Sequence, residues 1–354
     1  MREEVRTGMI NAGLVKIKIM AKIVFGTYVR GLLFLGANLV IVFLLIVLVN
    51  PNYLPNLPFL RQPETNSTII RTEAVQAEVP QTQVAFIVFG DSGTGNIYQQ
   101  KLAKVILKYP FKFMLHTGDL AYPSATVELL NSNFINQYDQ HLKKSAFYPS
   151  PGNHDYQADN LRPYLDKFNL PRQALNAQDM ERYYSFDYGN AHFVSLDTNT
   201  PLDQVSNNRA DDMLDWLEFD LKTSQTKLWK IVFFHYPPYS SGNTHGEDLR
   251  VQQILVPVLE KYDIDLVFNG HEHNYERTCE IANNSCVPGG VTYVVTGGGG
   301  GDLYGFGENK FYTVNRDAKY HFVYAVIDDC QLKGNVIGID NQLIDSWVIN
   351  KCEQ

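Results

Sequence analysis

Asp91, Asp119, Tyr122, Asn153, His235, His271 and His273 all stand shortly after the end of an apolar run. Phe86-Ile87-Val88-Phe89 leads into Gly90-Asp91-Ser92-Gly93. Phe113-Met114-Leu115 leads through His116-Thr117 into Gly118-Asp119-Leu120-Ala121-Tyr122. Ala146-Phe147-Tyr148 precedes Gly152-Asn153-His154-Asp155. Ile231-Val232-Phe233-Phe234 ends at His235, and Leu266-Val267-Phe268 ends at Asn269-Gly270-His271-Glu272-His273. In an open α/β sheet, ligands gather beyond the carboxyl ends of the strands. Five strand ends would therefore deliver two carboxylates, a phenol, an amide and three imidazoles to one crevice. Such donors suit first-row ions such as Zn, Fe and Mn, and no cysteine stands in these motifs to make a thiolate site. The number of donors suits two adjacent metals better than one. Paired metals clamp an in-line displacement at phosphorus. Asp119, sharing its loop with Tyr122, is the natural bridging carboxylate. His271 and His273 can serve both ions, because alternate residues of an extended segment point opposite ways.

Taken in order, these motifs resemble the calcineurin-like metallophosphoesterases, and within them the purple acid phosphatases. The resemblance runs from about Val84 to about Gly301. That superfamily usually carries Asp-x-His in its first motif, whereas here Ser92 and Gly93 follow Asp91. Purple acid phosphatases instead place a tyrosine beyond Gly-Asp-x, and Tyr122 stands there. The resemblance implies that Asp91, Tyr122 and His273 bind Fe(III). It implies that Asn153, His235 and His271 bind a second ion, Fe(II), Zn or Mn, and that Asp119 bridges the two. His154, and His245 ten residues after His235, would face the substrate. The implied reaction is hydrolysis of phosphomonoesters by hydroxide held on the metals. Imidazoles carry a proton below about pH 6.5, which suits an acid phosphatase.

Each residue alone has a plainer reading. Asp91 could cap the helix that starts near Asn96, Tyr122 could be a packing tyrosine, Asn153 a turn residue and His235 a strand-end histidine. Their ordered co-occurrence outweighs these. His192 and His321 read as structural, His116 as support for the ligands and His141 as a surface residue. Gly297–Gly301 lacks the Lys-Ser/Thr of a P-loop and reads as a tight loop beside the metals. Two rival functions are a phosphodiesterase acting on nucleotides or lipid head groups, and a non-catalytic, membrane-tethered binding module.

Residues 31–49 form 19 residues without a charge, about 28 Å as a helix and close to a bilayer core. Six basic and two acidic side chains precede this run, leaving +4 in residues 1–30 of a chain whose net charge is −8. The positive-inside rule then predicts a cytosolic tail (1–30), a signal-anchor (31–49), and export of the remainder of the chain. Secretion after signal cleavage is the alternative. Residues 50–83 hold five prolines and read as a stalk. Residues 84–354 suffice for one α/β domain, and the stalk is too short to hold the β-sandwich domain found before the catalytic domain in plant-type purple acid phosphatases. The acidic exported part argues against a nucleic-acid partner. It allows small phosphate esters, since metal charge dominates locally.

All four cysteines follow residue 278. Of three connectivities, Cys279–Cys286 with Cys330–Cys352 is the most economical, and it fits an oxidising compartment. Strands are expected at 84–89, 113–117, 145–149, 183–188, 191–196, 230–234, 265–269, 291–296, 321–328, 335–340 and 343–349. Amphipathic helices are expected at 97–108, 211–222 and 248–262. Strands alternating with helices, followed by consecutive strands, imply an α/β fold with mixed sheets. The resemblance makes this the calcineurin-like four-layer sandwich, two facing mixed β-sheets flanked by helices.

Overall fold

Runs such as Ala85–Phe89 and Ile231–Phe233 are apolar throughout because both faces of each strand are covered. In the computed structural model, which describes residues 70–71, 83–199 and 209–352, they lie in two mixed sheets. The six-stranded sheet runs in the order Leu343–Asn350, Gln331–Gly338, His321–Asp328, Gln83–Phe89, Phe113–His116, Ala146–Pro149. Its last three strands are parallel. The eight-stranded sheet centres on four parallel strands, Val291–Thr296, Leu266–Asn269, Trp229–Phe233 and Ala191–Ser195. It is flanked by antiparallel Tyr275–Ala282 and Tyr184–Tyr188. The expected tail (1–30) and anchor (31–49) lie outside the described residues. Of the expected stalk, Ile70–Arg71 pairs in parallel with Phe168–Asn169.

The sheets meet face to face through aromatic rings. Phe86 and Phe113 of one sheet pack edge-on against Phe193 of the other, 5.3 and 5.2 Å between centroids. Tyr148 stacks on Phe186 at 3.7 Å. The alternation along Trp229–Phe233 shows the layering. Ile231 and Phe233 join this central core, while Val232 packs with Met213, Leu217 and Leu221 from the helix Arg209–Thr223. The helix Ile97–Ile106 covers the far side of the first sheet with Leu102, Val105 and Ile106. The expected four-layer sandwich is therefore present.

Several expectations need correction. The helix expected over 248–262 is two short helices, Leu249–Ile254 and Val256–Lys261. Pro257 lacks an N–H and disfavours helical backbone in the residue before it. The strand Tyr275–Ala282 was hidden because Glu276, Arg277 and Glu280 interrupt its apolar pattern, and it carries a bulge. The strand expected at 335–340 is Gln331–Gly338. Its Gly334 lies under the Trp347 ring, which a Cβ would approach to 2.0 Å. His141 is buried, its Nε2 2.9 Å from the Ala103 carbonyl oxygen. The expected disulfides, Cys279–Cys286 and Cys330–Cys352, are both present.

His192 is structural. Its Nδ1 lies 2.7 Å from Asp187 and its Nε2 2.7 Å from Asp220. Burial opposes its charge, but the two carboxylates win and raise it to about 9. A folded pKa above the ordinary 6.5 stabilises fully below pH 6.5 and is lost as pH rises through 9. The unfolding free energy should therefore fall between pH 6.5 and 9, by about 1–2 kcal/mol once the half-exposed Asp187 is discounted. His192→Asn should flatten that slope. An equal slope in both proteins would show that another group sets it.

Candidate metal centre

The two sheets bring their strand ends together along one seam. Asp91, Asp119, Tyr122 and Asn153 follow strands of the six-stranded sheet, while His235, His271 and His273 follow strands of the other. All seven converge. Asp91, Asp119 and His271 have left-handed backbones, with φ of 56°, 59° and 70°. Such strain in non-glycine residues is held only by surrounding bonds. Asp91 provides one such hold, accepting the His271 N–H at 3.0 and 3.1 Å. Gly270 permits this approach, because a Cβ there would come within 2.4 Å of Asp91 Oδ2. Gly152 likewise leaves room for Asp119 Oδ1, which a Cβ would meet at 2.2 Å.

The donor atoms face one another. Tyr122 Oη lies 3.2 Å from Asp91 Oδ1, 3.1 Å from Asp119 Oδ2 and 2.9 Å from His273 Nε2. His273 Nδ1 lies 2.7 Å from the Asp302 carbonyl, so Nδ1 holds the proton and Nε2 presents a lone pair. One phenolic hydrogen cannot serve three acceptors. His235 repeats the pattern. Its Nδ1 meets the Thr117 carbonyl at 2.8 Å. Its Nε2 then faces Asn153 Oδ1 at 2.9 Å, Asp119 Oδ2 at 3.5 Å and His271 Nδ1 at 3.2 Å. Backbone carbonyls that orient imidazoles in this way are a regular feature of metal-binding histidines. Asp91, Asp119 and His235 each place a ligand atom within 4.8 Å of the others. Converging lone pairs of O and N type fit cations, and the donor set fits first-row metals.

The electrostatics agree. Burial, then Asp119 and Asp91, push the Tyr122 phenol well above its ordinary value. A neighbouring cation would reverse that push. Burial and the surrounding imidazoles hold His271 well below the usual histidine range, so it stays a neutral lone-pair donor. Burial lowers His116 to about 3. That neutral ring sits between Ser92 Oγ, 2.9 Å from Nε2, and the Gly118 N–H, which Nδ1 accepts at 3.2 Å. It thus supports two ligand loops, as expected.

His154 and His245 flank the cluster. The His154 N–H donates to Asp119 Oδ1 at 2.8 Å, its Nδ1 lies 2.5 Å from the Pro123 carbonyl, and its ring packs 4.7 Å from Tyr122. His245 stacks on His271 at 4.1 Å. The glycine run lies against the first loop, with Gly299 and Gly301 donating to the carbonyls of Gly90 and Asp91 at 3.0 and 2.7 Å.

The family model of the calcineurin-like phosphoesterases matches residues 84–275. The chain belongs to this family. Among curated relatives of this calcineurin-like phosphoesterase, purple acid phosphatase 21 of Arabidopsis thaliana is 30% identical over 226 residues, covering 61% of this chain and 50% of that one. The chain thus spans about half the length of that relative. A purple acid phosphatase isolated from yellow lupin (Lupinus luteus) seeds has a similar fold, with a TM-score of 0.66 at 23% identity over 76% of this chain and 54% of the lupin chain. GAP50, the anchor in the inner membrane complex of Plasmodium, gives 0.64 at 17% identity over 77% of this chain and 90% of its own.

Three residues of this calcineurin-like phosphoesterase escaped the sequence reading. Asp155 is buried and accepts the N–H groups of Asp119, Leu120 and Gly152 at 2.9, 3.0 and 2.8 Å, joining two ligand loops. Burial and the Asp119 charge push it up to about 7. Glu272, between two histidines, is also buried. Both stand inside the motifs, and their place beside candidate ligands was the only available signal. Tyr304 stacks on His273 at 4.1 Å. Nothing sets it apart from the other tyrosines of a chain that has 21.

Proposed function

We propose that this chain is an exported, membrane-anchored acid phosphatase that hydrolyses phosphomonoesters at a binuclear centre of Fe(III) with Fe(II), Zn or Mn. The observation that carries this reading is the Tyr122 phenol held among Asp91, Asp119 and His273. Asp91, Tyr122 and His273 would hold one ion, Asn153, His235 and His271 the other, and Asp119 both. When bound, the pair supplies Lewis acidity and lowers the pKa of water. Two disulfides suit an extracellular or secreted domain. The basic tail at 1–30 and the uncharged run at 31–49 support a single-pass anchor with the catalytic part, 84–354, outside the cytosol.

The protein's own groups supply the proton work. The Pro123 carbonyl fixes the proton of His154 on Nδ1, so Nε2 faces the cleft, 4.0 Å from Asp119 Oδ2. A protonated Nε2 there would donate to the leaving oxygen. His245, on the opposite flank, would steady the charge gathering on the phosphoryl oxygens.

Tyr122 gives the test. A phenolate on Fe(III) absorbs in the visible, so the purified protein should be pink to purple and contain iron. Tyr122→Phe should bleach it while much of the hydrolysis survives. Monoester substrates should be cleaved faster than bis-esters. A colourless, iron-free protein with full activity would refute the iron assignment. Faster cleavage of bis-esters would refute the monoester one.

A further inference from the structure

His245 sits in the loop Ser240–Gly246, which has no regular structure of its own beyond a single bridge between Gly242 and Phe306. Such a loop does not hold an imidazole over a reaction centre unaided. Two buried carboxylates hold it from one neighbouring segment. Glu276 accepts the Ser241 N–H at 2.6 Å and lies 3.3 Å from Ser240 Oγ. Glu272 Oε1 accepts the N–H groups of both His245 and Gly246 at 2.5 Å. Its carboxyl fills the space where Gly242 has no side chain, and a Cβ there would lie 2.3 Å from the carboxyl carbon. Glu272 is fully buried and stands between His271 and His273. The strand end that carries two candidate metal ligands thus also grips the backbone of His245, whose ring stacks on His271.

We propose that Glu272 is a positioning residue that locks the His245 loop onto the metal centre, so that His245 and the metals keep one fixed spacing. The inference rests on the phosphatase reading for the role of His245, and on the hydrogen bonds alone for the hold. The hold is geometric and rigid. Two N–H groups converge on one oxygen, a short side chain leaves little slack, and burial excludes water that would compete for the carboxylate. Without it, His245 would keep its stacking contact but lose its fixed backbone.

The experiment compares Glu272→Ala, Glu272→Gln, His245→Ala and the double variant Glu272→Ala/His245→Ala in the full protein. Amide hydrogen exchange over residues 242–247 reads the hold directly. Glu272→Ala should speed exchange at His245 and Gly246 at least tenfold, whereas Glu272→Gln, which keeps an acceptor oxygen, should retain much of the protection. Metal content should stay at the wild-type level. In kinetics, Glu272→Ala should lower kcat by about tenfold or more with a smaller change in KM. The double variant should be no slower than His245→Ala alone, because the two residues act through one group. Unchanged exchange in Glu272→Ala, or losses that add in the double variant, would overturn the proposal. A wild-type protein that is inactive on phosphate esters but protected by Glu272 would count against the phosphatase reading and leave the hold in place.

Discussion

Asp119→Ala is expected to abolish activity, by on the order of 10³-fold or more, and to release both metals. Asp119 touches donors of both proposed ion sites. Oδ2 lies 3.1 Å from Tyr122 Oη and 3.5 Å from His235 Nε2, which belong to the two proposed ion sites. Oδ1 accepts the His154 N–H and so seats the proposed proton donor. Alanine removes the carboxylate that would be shared by the two ions, and with it the contacts to Tyr122 and His235. Elemental analysis after dialysis, with kcat measured alongside, tests this. A variant that retained both metals and a tenth of wild-type kcat would show that Asp119 is not the bridge.

His154→Ala is expected to lower kcat by about 10²–10⁴-fold with both metals retained. The substitution keeps the backbone N–H that Asp119 accepts, so the ligand loop stays seated. Only the ring is lost, with its Nδ1 fixed on the Pro123 carbonyl and Nε2 free to face the cleft. A proton donor matters most when the leaving oxygen is a poor leaving group. The loss should therefore be large for alkyl phosphates and small for nitrophenyl phosphate. Equal losses for both would assign His154 to phosphoryl binding instead of proton transfer. Loss of metal would make it a support of the centre.

The strands that bear the donors were legible in the sequence because they are buried on both faces and read as unbroken apolar runs. Their polar successors stood out for the same reason. Tyr275–Ala282 and Thr313–Asp317 were not legible, since Glu276, Arg277 and Arg316 serve contacts made far along the chain. His141 misled because a polar helix surrounds it in sequence, while its partner Ala103 lies on another helix. Within the site, the donors announced themselves by type. The residues that hold them, Asp155 and Glu272, act through backbone N–H groups that leave no trace in a sequence. Tyr304 is recognised only by what it stacks on.

The seam between the sheets also sets a schedule. Asp91 and His271, joined by a hydrogen bond, are 180 residues apart. As the chain is made, Asp91, Asp119, Tyr122 and Asn153 all exist before any of the three histidine donors. Those four side chains offer only oxygen, a set suited to hard ions. The imidazoles, which suit zinc and ferrous iron, arrive last, because they follow strands of the second sheet. The proposed donor set is therefore complete only once synthesis has passed His273.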